Sequence, residues 1–484
     1  MNKYWCFFAV YLAFLSCKTL PANVEAKSES KPNIVWIMLE DWGLQLSCYD
    51  EPGIATPFID KLALEGRRYN FAYATAPVCS PSRSAMMTGF YQNFIGANQH
   101  RTSEKFGFPK RELPTGIEPI TYHLKRAGYY TALMYSTKTD LNFIHGGLFD
   151  SKDWADRAEG QPFFAQITLT DTHRIWKRDS ISPIDIKDVR IPPYYPQTDF
   201  AKRDWANGLE AMQNVDRQVG EIIDRLEREG VLDNTVVFLI GDNGRCMPRG
   251  KQFLYEGGVQ VPLIIRWPEK IKKGEISNDL VSTLDITKTI LDLSGSISEV
   301  PLQGMNLLSG ETANREYVFV SRDKMDSTYD AMRAVRSKKH KLIHNLMPER
   351  PYLQYNQYKE QNYPVLAQLN VMFLKGQLNE DQLPFMASEK PEFELFDLEN
   401  DPYELHNLAY DPDYVEIKEK LLNVLNDWRV GINDQGVTEE FRTGGWPATF
   451  PTRSLEEWEQ IQNTFSEWIF REPTSKMKHP KISR

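Results

Sequence analysis

The sequence predicts an α/β protein. A large N-terminal domain has a central, mostly parallel sheet between helices, and a smaller C-terminal domain has an antiparallel sheet and a helix. Over residues 31–310, short apolar runs typical of strands buried on both faces alternate with amphipathic helical segments. Past residue 310 the chain instead shows short strands without long crossover helices. Its 484 residues and 41% hydrophobic content suffice for two or three domains.

The N-terminal segment predicts export. Lys3 precedes an apolar run over residues 4–15, which at about 12 residues is too short to span a bilayer core of about 30 Å. We therefore expect residues 1–26 to be a signal peptide, with two processing routes open. An imperfect lipobox would acylate Cys17, whereas residues 24–26 offer an ordinary cleavage site. The expected location is periplasmic, cell-surface or secreted, with membrane contact only through a lipid on Cys17.

Residues 31–310 are predicted to form the catalytic α/β domain. A helix follows the first strand, because Thr56 and Pro57 are typical of a helix start and Gly66 of a helix end. A second helix covers about 204–229, where apolar residues recur at steps of three or four. Strands are predicted at 33–39, 130–134, 163–169, 235–240 and 262–266.

Polar side chains follow four of these strands at the point where each strand ends. In an open α/β sheet, the carboxyl ends of the strands form the ligand crevice. A single Asp after a strand is more often a helix or turn cap, but the repetition predicts one convergent site. The residues in question are Glu40, Asp41, Lys138, Asp171, His173, Asp242 and Asn243.

The C-terminal part is predicted as a smaller α+β domain over residues 311–430, followed by a tail over residues 431–484. Strands are expected at 317–321, 331–335, 341–345 and 393–398, and a helix at about 414–428. Residues 349–391 show no clear period and are interpreted as an insertion of loops and short helix. We expect the tail to pack on the body because it is rich in aromatic residues. These are Trp446, Phe450, Trp458, Phe465 and Trp468.

Charge and cysteine content limit the function classes. Lys and Arg total 57 against 66 for Asp and Glu, and the net charge of −9 argues against nucleic-acid binding by bulk electrostatics. An anionic ligand would then need a local basic pocket. Beyond the export segment only Cys48, Cys79 and Cys246 remain, which is no disulfide framework, and we expect free thiols.

The most informative string is CSPSRSAMMTG at residues 79–89. Cys79 lies at the start of a predicted helix, and Arg83 follows one turn later on the same face. This setting is electropositive and favours anionic species. The residues alone leave two interpretations open: a reactive thiol near an anion pocket, or an inert buried cysteine.

This string resembles the C-x-P-x-R signature of the formylglycine-dependent (type I) sulfatases, a family of the alkaline phosphatase superfamily. The resemblance runs in matching order from about residue 31 to residue 430. Details at 171–174 and 333–336 are similar to the sulfamidase-like and polysaccharide-sulfatase branch. Further matching segments are NIV at 33–35, EDWG at 40–43, GDNG at 241–244, Lys251, YEGGV at 255–259, VPLI at 261–264 and ELFDL at 394–398.

The resemblance implies an alkaline-phosphatase-like fold and a sulfuric ester hydrolase. It implies that a formylglycine-generating or anaerobic maturation enzyme oxidises Cys79 to 3-oxoalanine. The hydrated aldehyde presents two hydroxyls: one attacks sulfur, and the other later expels sulfate and regenerates the aldehyde. Arg83 would hold this hydrate.

The resemblance also implies one bound Ca²⁺ and a set of sulfate-binding cations. Oxygen ligands suit such a hard ion. His173 or Lys251 would also protonate the departing alcohol. The implied metal ligands are Glu40, Asp41, Asp242, Asn243 and an oxygen of the modified Cys79. The implied sulfate-binding residues are Lys138, His173 and Lys251.

Two residues depart from the family pattern. Glu40 stands where the family usually has Asp, and we expect its longer side chain still to ligate calcium. Asp140 stands where family members often have the His of a Lys-x-His motif, which helps to deprotonate the aldehyde hydrate. Asp140 could accept the same proton or bond the loop backbone, so the base for breakdown of the intermediate stays open.

The substrate is predicted to be an anionic sugar, because several basic residues lie near the crevice or in the smaller domain. Basic residues are usually solvated surface, so each alone is a weak indication. With export, the branch implies an extracellular glycan, either an algal polysaccharide such as ulvan or a glycosaminoglycan. The predicted substrate-binding residues are His100, Arg101, Arg174, Arg322 and Arg333.

Three rival functions differ in how well they fit the sequence. A sulfamidase would cleave N-sulfo groups with the same machinery. A non-catalytic glycan-binding relative is conceivable because of the Glu40 and Asp140 departures. A metallophosphatase with two zinc ions is a poor fit, because the α/β region holds only scattered histidines. The sequence does not fix the sugar, the sulfate position, endo or exo action, or the oligomeric state.

Overall fold

The structure is a computed structural model that describes residues 1, 31–102, 108–444 and 450–482. Apart from Met1, the predicted signal peptide with Cys17 lies outside the described residues, as does Trp446. None of the described helices combines the length and the apolar character that a transmembrane span requires. The three cysteines in the described ranges, Cys48, Cys79 and Cys246, are free thiols.

The larger sheet has the order β3-β4-β1-β5-β6-β2-β7. All its neighbouring pairs are parallel except those of β6, which runs antiparallel to both β5 and β2. The predicted mostly parallel sheet is therefore confirmed. Its strands are β1 (Asn33–Leu39), β2 (Arg67–Tyr73), β3 (Tyr130–Met134), β4 (Phe163–Leu169), β5 (Thr235–Gly241), β6 (Leu263–Arg266) and β7 (Glu275–Ser282).

Burial explains which strands the sequence revealed. Every residue of β1, β4 and β5 is buried, as expected for central strands covered on both faces. In register, Ile37 of β1 lies between Ile167 of β4 and Leu239 of β5. Strands β2 and β7 are half-exposed and rich in polar residues, so they lack a continuous apolar run and were not predicted.

Helices cover both faces of this sheet. The helix predicted from Pro57 to Gly66 is present, and the long predicted helix begins earlier, at Asp199, because Thr198 caps it by accepting a hydrogen bond from Ala201 N at 3.2 Å. The helices are α1 (Pro57–Glu65), α2 (Cys79–Thr88), α3 (Ile120–Arg126), α4 (Asp199–Arg228), α5 (Glu256–Val259) and α6 (Leu284–Ser294).

The C-terminal part contains a second, antiparallel sheet with the order β11-β10-β9-β8. Helix α9 packs against β9 and β10, so the predicted combination of antiparallel sheet and helix is confirmed. These elements are β8 (Val318–Arg322), β9 (Met332–Arg336), β10 (His340–Asn345), β11 (Phe393–Asp397) and α9 (Val415–Gly431).

The remaining helices lie in the insertion and the tail: α7 (Gln357–Asn362), α8 (Pro364–Leu374), α10 (Glu439–Thr443) and α11 (Leu455–Ile469). Helix α11 packs against α8 and α4. It buries Trp458, Phe465 and Trp468 in one apolar cluster with residues of both helices. Pro32–Arg484 forms one compact unit, and the boundaries drawn at 310 and 430 stay predictions.

The packing of α11 predicts a stability effect. We expect Phe465→Ala to lower the free energy of unfolding by about 3 kcal/mol, because it removes a fully buried ring and leaves a cavity. Glu456→Ala, on the exposed side of the same helix, serves as the control and should change stability by less than about 0.5 kcal/mol. Urea denaturation measures both, and equal losses would mean that α11 does not stabilise the body.

Candidate active site

The carboxyl ends of β1 and β5 bring four of the predicted residues together. Glu40 and Asp41 follow β1, and Asp242 and Asn243 follow its neighbour β5. The backbone N–H of Asp41 donates to Asp242 Oδ1 at 2.9 Å, and Asn243 Nδ2 donates to Asp41 Oδ1 at 2.9 Å. Parallel pairing of adjacent strands therefore places these two pairs of implied metal ligands in direct contact.

These residues form an acidic cluster that could hold a metal ion. One ligand atom each of Glu40, Asp41 and Cys79 lie within 4.8 Å of one another. The side chains of Glu40, Asp41, Asp242 and Asn243 are fully buried. Asn243 Oδ1 has no hydrogen-bond partner in the described part of the chain. Three buried carboxylates and an unpaired amide oxygen are a donor set that fits a hard cation such as Ca²⁺.

Cys79 is the first residue of α2, and its side chain faces this cluster. Its Sγ lies 3.7 Å from Asp41 Oδ1 and 3.2 Å from Lys251 Nζ. Burial raises the pKa of the Cys79 thiol well above its usual value, although Lys138 and Lys251 act in the opposite direction. The unmodified side chain is therefore a neutral thiol near pH 7, and a neutral thiol is a weak nucleophile.

Arg83, one turn along α2, joins the two strand-end loops. Its Nε donates to Asp242 Oδ2 at 2.8 Å, and its Nη2 donates to Glu40 Oε2 at 2.7 Å. Ser82 adds a hydrogen bond from its hydroxyl to the Asp242 carbonyl oxygen at 2.6 Å. Burial raises the pKa of Asp242 to about 6, because the positive charge of Arg83 offsets only part of the cost of burying the carboxylate. Helix α2 is thus held to β1 and β5 by buried charge.

Two lysines complete the neutralisation of the cluster. Lys251 Nζ lies 2.7 Å from Asp41 Oδ2, and Lys138, after β3, pairs with Glu40. Burial alone would raise the pKa of Asp41, but Lys251 and His173 hold it well below its usual value. Burial also opposes the charge on Lys251, yet Asp41 and Cys79 keep its pKa high. Lys251 is therefore a protonated amine beside the Cys79 side chain.

His173, in the loop after β4, is oriented by two contacts. Its Nδ1–H donates to the carbonyl oxygen of Arg174 at 2.6 Å, which leaves Nε2 facing Asp41 Oδ2 at 3.6 Å. The Tyr358 hydroxyl lies 3.4 Å from Nδ1 and 3.5 Å from Nε2. Burial lowers the pKa of His173, so the ring is neutral near pH 7. Sequence reasoning missed Tyr358, which lies in the insertion that shows no periodic signal.

Asp140 lies beside Lys138 with its backbone in the left-handed region, at φ 55°. The nearest oxygen of Asp140 is 3.5 Å from Lys138 Nζ. Burial would raise the pKa of Asp140, but the charges of Lys138 and His100 hold it below its usual value. The carboxylate is therefore ionised and close to the cluster, and its role as a base stays a prediction.

A cavity of about 410 Å³ opens onto this cluster. Glu40, Lys138 and His173 line its inner part. Ile175 and Lys177, which are exposed and were not predicted, line its rim. A space of this size accommodates a sugar ring with its sulfate group.

Three members of the predicted substrate-binding set are buried arginines. Arg174 is buried with its guanidinium paired to Asp204 at 2.7 Å, and Arg333 is buried between Asp323 at 3.0 Å and Asp434 at 2.8 Å. Arg322 is also fully buried, within β8. Arg174 also borders the cavity described above, and contact of these three arginines with substrate stays a prediction.

The two remaining members of that set, His100 and Arg101, lie beside Asp326. His100 is buried, with Nδ1 3.3 Å from Asp326 Oδ1, and the backbone N–H of Arg101 donates to Ser80 Oγ at 3.3 Å. The Arg101 side chain is half-exposed, and its Nε lies 3.5 Å from Asp326. Contact of either residue with substrate stays a prediction.

The comparisons with known proteins agree with this arrangement. The family model described as Sulfatase matches residues 32–146 and 148–296, which include every residue of the acidic cluster. The chain belongs to the sulfatase family. It is therefore a sulfuric ester hydrolase by family, and the predicted resemblance is confirmed. A second model, described as the C-terminal part of N-sulphoglucosamine sulphohydrolase, matches residues 249–372 of this sulfatase.

Curated relatives cover most of the sulfatase. An ulvan-active sulfatase of Formosa agariphila is 33% identical over 482 residues, which span 88% of this chain and 80% of the relative. The human N-sulphoglucosamine sulphohydrolase is 26% identical over 472 residues, which span 84% of this chain and 93% of the relative.

Solved structures share the fold of the sulfatase. One, determined in complex with its substrate D-glucosamine-2-N,6-O-disulfate, has a TM-score of 0.61 at 18% identity and covers 86% of this chain and 100% of its own. The phosphonate monoester hydrolase of Agrobacterium radiobacter has a TM-score of 0.63 at 17% identity and covers 87% of this chain and 100% of its own. At these identities the likeness shows the fold alone, and the chemistry must be argued from the site.

The pairing of Arg83 generates a prediction about stability. We expect Arg83→Met to lower the free energy of unfolding by about 3 to 5 kcal/mol, because it leaves Glu40 and Asp242 buried without their shared cation. Lys288→Met breaks an ion pair with Asp292 at a helix surface and should cost less than about 1 kcal/mol. Urea denaturation compares the two, and similar costs would contradict the role assigned to Arg83.

Proposed function

We propose that this sulfatase removes sulfate esters from an extracellular sulfated polysaccharide or its oligosaccharides, using formylglycine formed at Cys79 and one calcium ion. The observation that carries the proposal is the position of Cys79. It is a buried thiol at the start of α2, 3.7 Å from a carboxylate and 3.2 Å from Lys251 Nζ. Burial disfavours the thiolate form of Cys79, so an unmodified Cys79 would be a poor nucleophile. Conversion of this side chain to a hydrated aldehyde would supply a nucleophilic hydroxyl at the same position.

Calcium would be held by Glu40, Asp41, Asp242 and Asn243, with an oxygen of the modified Cys79 as a further ligand. These side chains offer carboxylate and amide oxygens, the ligands that calcium prefers. When bound, the ion supplies a positive charge that polarises the sulfate oxygens and stabilises negative charge in the transition state. The longer Glu40 side chain reaches the cluster, since Arg83 already joins it to Asp242.

Three side chains serve the sulfate and the leaving group in this proposal. Lys138 and Lys251 bind sulfate oxygens from two sides of the cluster. Lys251 is protonated and lies next to Cys79, which makes it the better placed proton donor for the departing alcohol. His173 is neutral, so its Nε2 can accept a proton when the hydrated aldehyde is activated.

The substrate class is inferred from the relatives. The 33% identical sulfatase of Formosa agariphila is described as ulvan-active, which favours an algal polysaccharide. The match of residues 249–372 to the C-terminal part of N-sulphoglucosamine sulphohydrolase favours a second candidate, hydrolysis of N-sulfo groups on glucosamine. Both proposals include export through residues 1–26 and maturation of Cys79 by a formylglycine-forming enzyme.

A substrate panel separates the two candidates. Ulvan oligosaccharides, O-sulfated glycosaminoglycan fragments and N-sulfated glucosamine are incubated with the matured full chain, and ion chromatography measures freed sulfate. Release from ulvan oligosaccharides alone supports the first candidate, and release from N-sulfated glucosamine alone supports the second. Release from none of the panel would overturn both.

Cys79→Ala should abolish sulfate release and leave the thermal midpoint nearly unchanged, because the substitution removes only the sulfur atom of a small side chain. Cys48→Ala is the matched control, since this half-buried cysteine lies outside the cluster and its loss should spare activity. Mass spectrometry of the tryptic peptide that contains residue 79 should find the aldehyde or its hydrate. An intact thiol in active protein would rule out the proposed nucleophile.

Calcium should stabilise the protein in a pH-dependent way. Burial raises the pKa of Asp242 in the folded protein to about 6. We therefore expect calcium to raise the thermal midpoint fully at about pH 7.5, and this rise to become smaller as the pH falls through about 6. Protons then compete with calcium for the Asp242 carboxylate. Scanning fluorimetry with calcium or with a chelator measures the difference. A stabilisation that is the same at about pH 5 would contradict the assignment of Asp242 as a ligand.

A further inference from the structure

A small internal cavity has several hydrogen-bond donors among its lining residues. Its volume is about 10 Å³, room for one small ion or one water. Lys359 of α7, Trp458 of α11 and Thr328 line it together with Gln252. Gln252 follows the catalytic Lys251 in sequence, and Lys359 follows Tyr358, so the cavity borders segments that also build the active site.

Two of the donors around this cavity have no acceptor in the described part of the chain. Trp458 Nε1 and Thr328 Oγ1 are buried without a hydrogen-bond partner among the residues described. The Lys359 side chain is 3% exposed, and its Nζ lies near ring faces, 4.6 Å from the centroid of Phe253 and 5.9 Å from that of Tyr363. An indole N–H and a hydroxyl without partners, beside a buried lysine amine, call for an acceptor within the cavity.

The surrounding charge is also unbalanced. Arg322, 5.1 Å from the Phe253 centroid, has all three guanidinium nitrogens without a hydrogen-bond partner in the described ranges. Its nearest carboxylate, Asp330, is 3.5 Å away and binds Lys390 at 3.1 Å. Burial and the Arg322 charge lower the pKa of Lys359 well below its usual value. Arg322 and Lys390 share the single carboxylate of Asp330, and the other nearby carboxylate, Asp326, lies 3.5 Å from Arg101. Positive charge therefore exceeds negative charge in this part of the interior even with Lys359 neutral, which favours an anion over water.

One carboxylate lines the cavity, but its oxygens are already occupied. Glu360 accepts a hydrogen bond from Thr452 Oγ1 at 2.8 Å and another from Arg453 Nε at 2.9 Å. Its charge is therefore neutralised by Arg453, away from Lys359. Glu360 thus does not serve as the missing acceptor.

We propose that this cavity binds one monatomic anion of the size and charge of chloride, held by Lys359, Trp458 and Thr328. The ion would tie α7 and α11 to the loop that carries Lys251 and Gln252. A polyatomic anion such as sulfate exceeds the available volume. The site is separate from the acidic cluster and does not depend on the identity of the glycan.

The experiment uses the full chain and two sodium salts, chloride and gluconate, the latter too large for the cavity. Raising chloride to about 0.3 M at constant ionic strength should raise the thermal midpoint by about 2 °C relative to gluconate. Lys359→Met should abolish this difference. Lys152→Met, an exposed lysine elsewhere on the surface, is the matched control and should retain it.

Crystals soaked in sodium bromide provide a second readout that needs no variant. An anomalous peak within hydrogen-bond distance of Lys359 Nζ and Trp458 Nε1 would establish the site. Trp458→Phe, which keeps a ring but removes the donor, should weaken the chloride effect on the thermal midpoint. A water in the cavity at high bromide, or equal midpoints in chloride and gluconate for the unmodified chain, would overturn the proposal.

Discussion

The structure depends on one electrostatic constraint, the burial of three carboxylates at the ends of two neighbouring strands. Glu40, Asp41 and Asp242 are fully buried, and like charges in the interior are costly unless cations neutralise them. Strands β1 and β5 cannot supply these cations, because apolar residues dominate their buried positions. The compensation therefore comes from α2, from the loop after β3 and from the loop that carries Lys251. Convergence of these separate segments follows from the need to balance charge.

The same balance is suited to an anionic substrate. Three carboxylates face three permanent cations, those of Arg83, Lys138 and Lys251, so the cluster is close to neutral as it stands. A divalent cation carries two positive charges and a sulfate monoester carries one negative charge. Binding of both would therefore change the net charge of the cluster by only one. In the proposed mechanism, Lys138 and Lys251 then turn from these carboxylates to sulfate oxygens. A phosphonate monoester hydrolase has the same fold, so the fold alone does not determine the chemistry. The side chains at the strand ends determine it.

A residue's position and role could be predicted from the sequence when its structural neighbours are close to it in the chain. Strand β4 could be located because its apolar run is continuous, and Asp242 could be assigned to the site because it directly follows a buried strand. Arg333 could not be placed, because its charge gives no sign that Asp323 and Asp434 would enclose it. Tyr358 was missed for a related reason: its contact with His173 joins segments 185 residues apart. Long-range packing decides both cases, and no local pattern reports it.

The C-terminal part supports the loop that carries Lys251. Arg249 and Gln252 flank Lys251 with backbone in the left-handed region, at φ 59° and 85°, which costs about 1 to 3 kcal/mol for each non-glycine residue. Such a loop persists only when its surroundings fix it. The Arg249 guanidinium bonds the Glu404 carbonyl oxygen in the segment after β11, and Gln252 borders the cavity between α7 and α11. Residues far along the chain therefore hold Lys251 against Cys79, so the smaller sheet and the tail contribute to the active site without lining it.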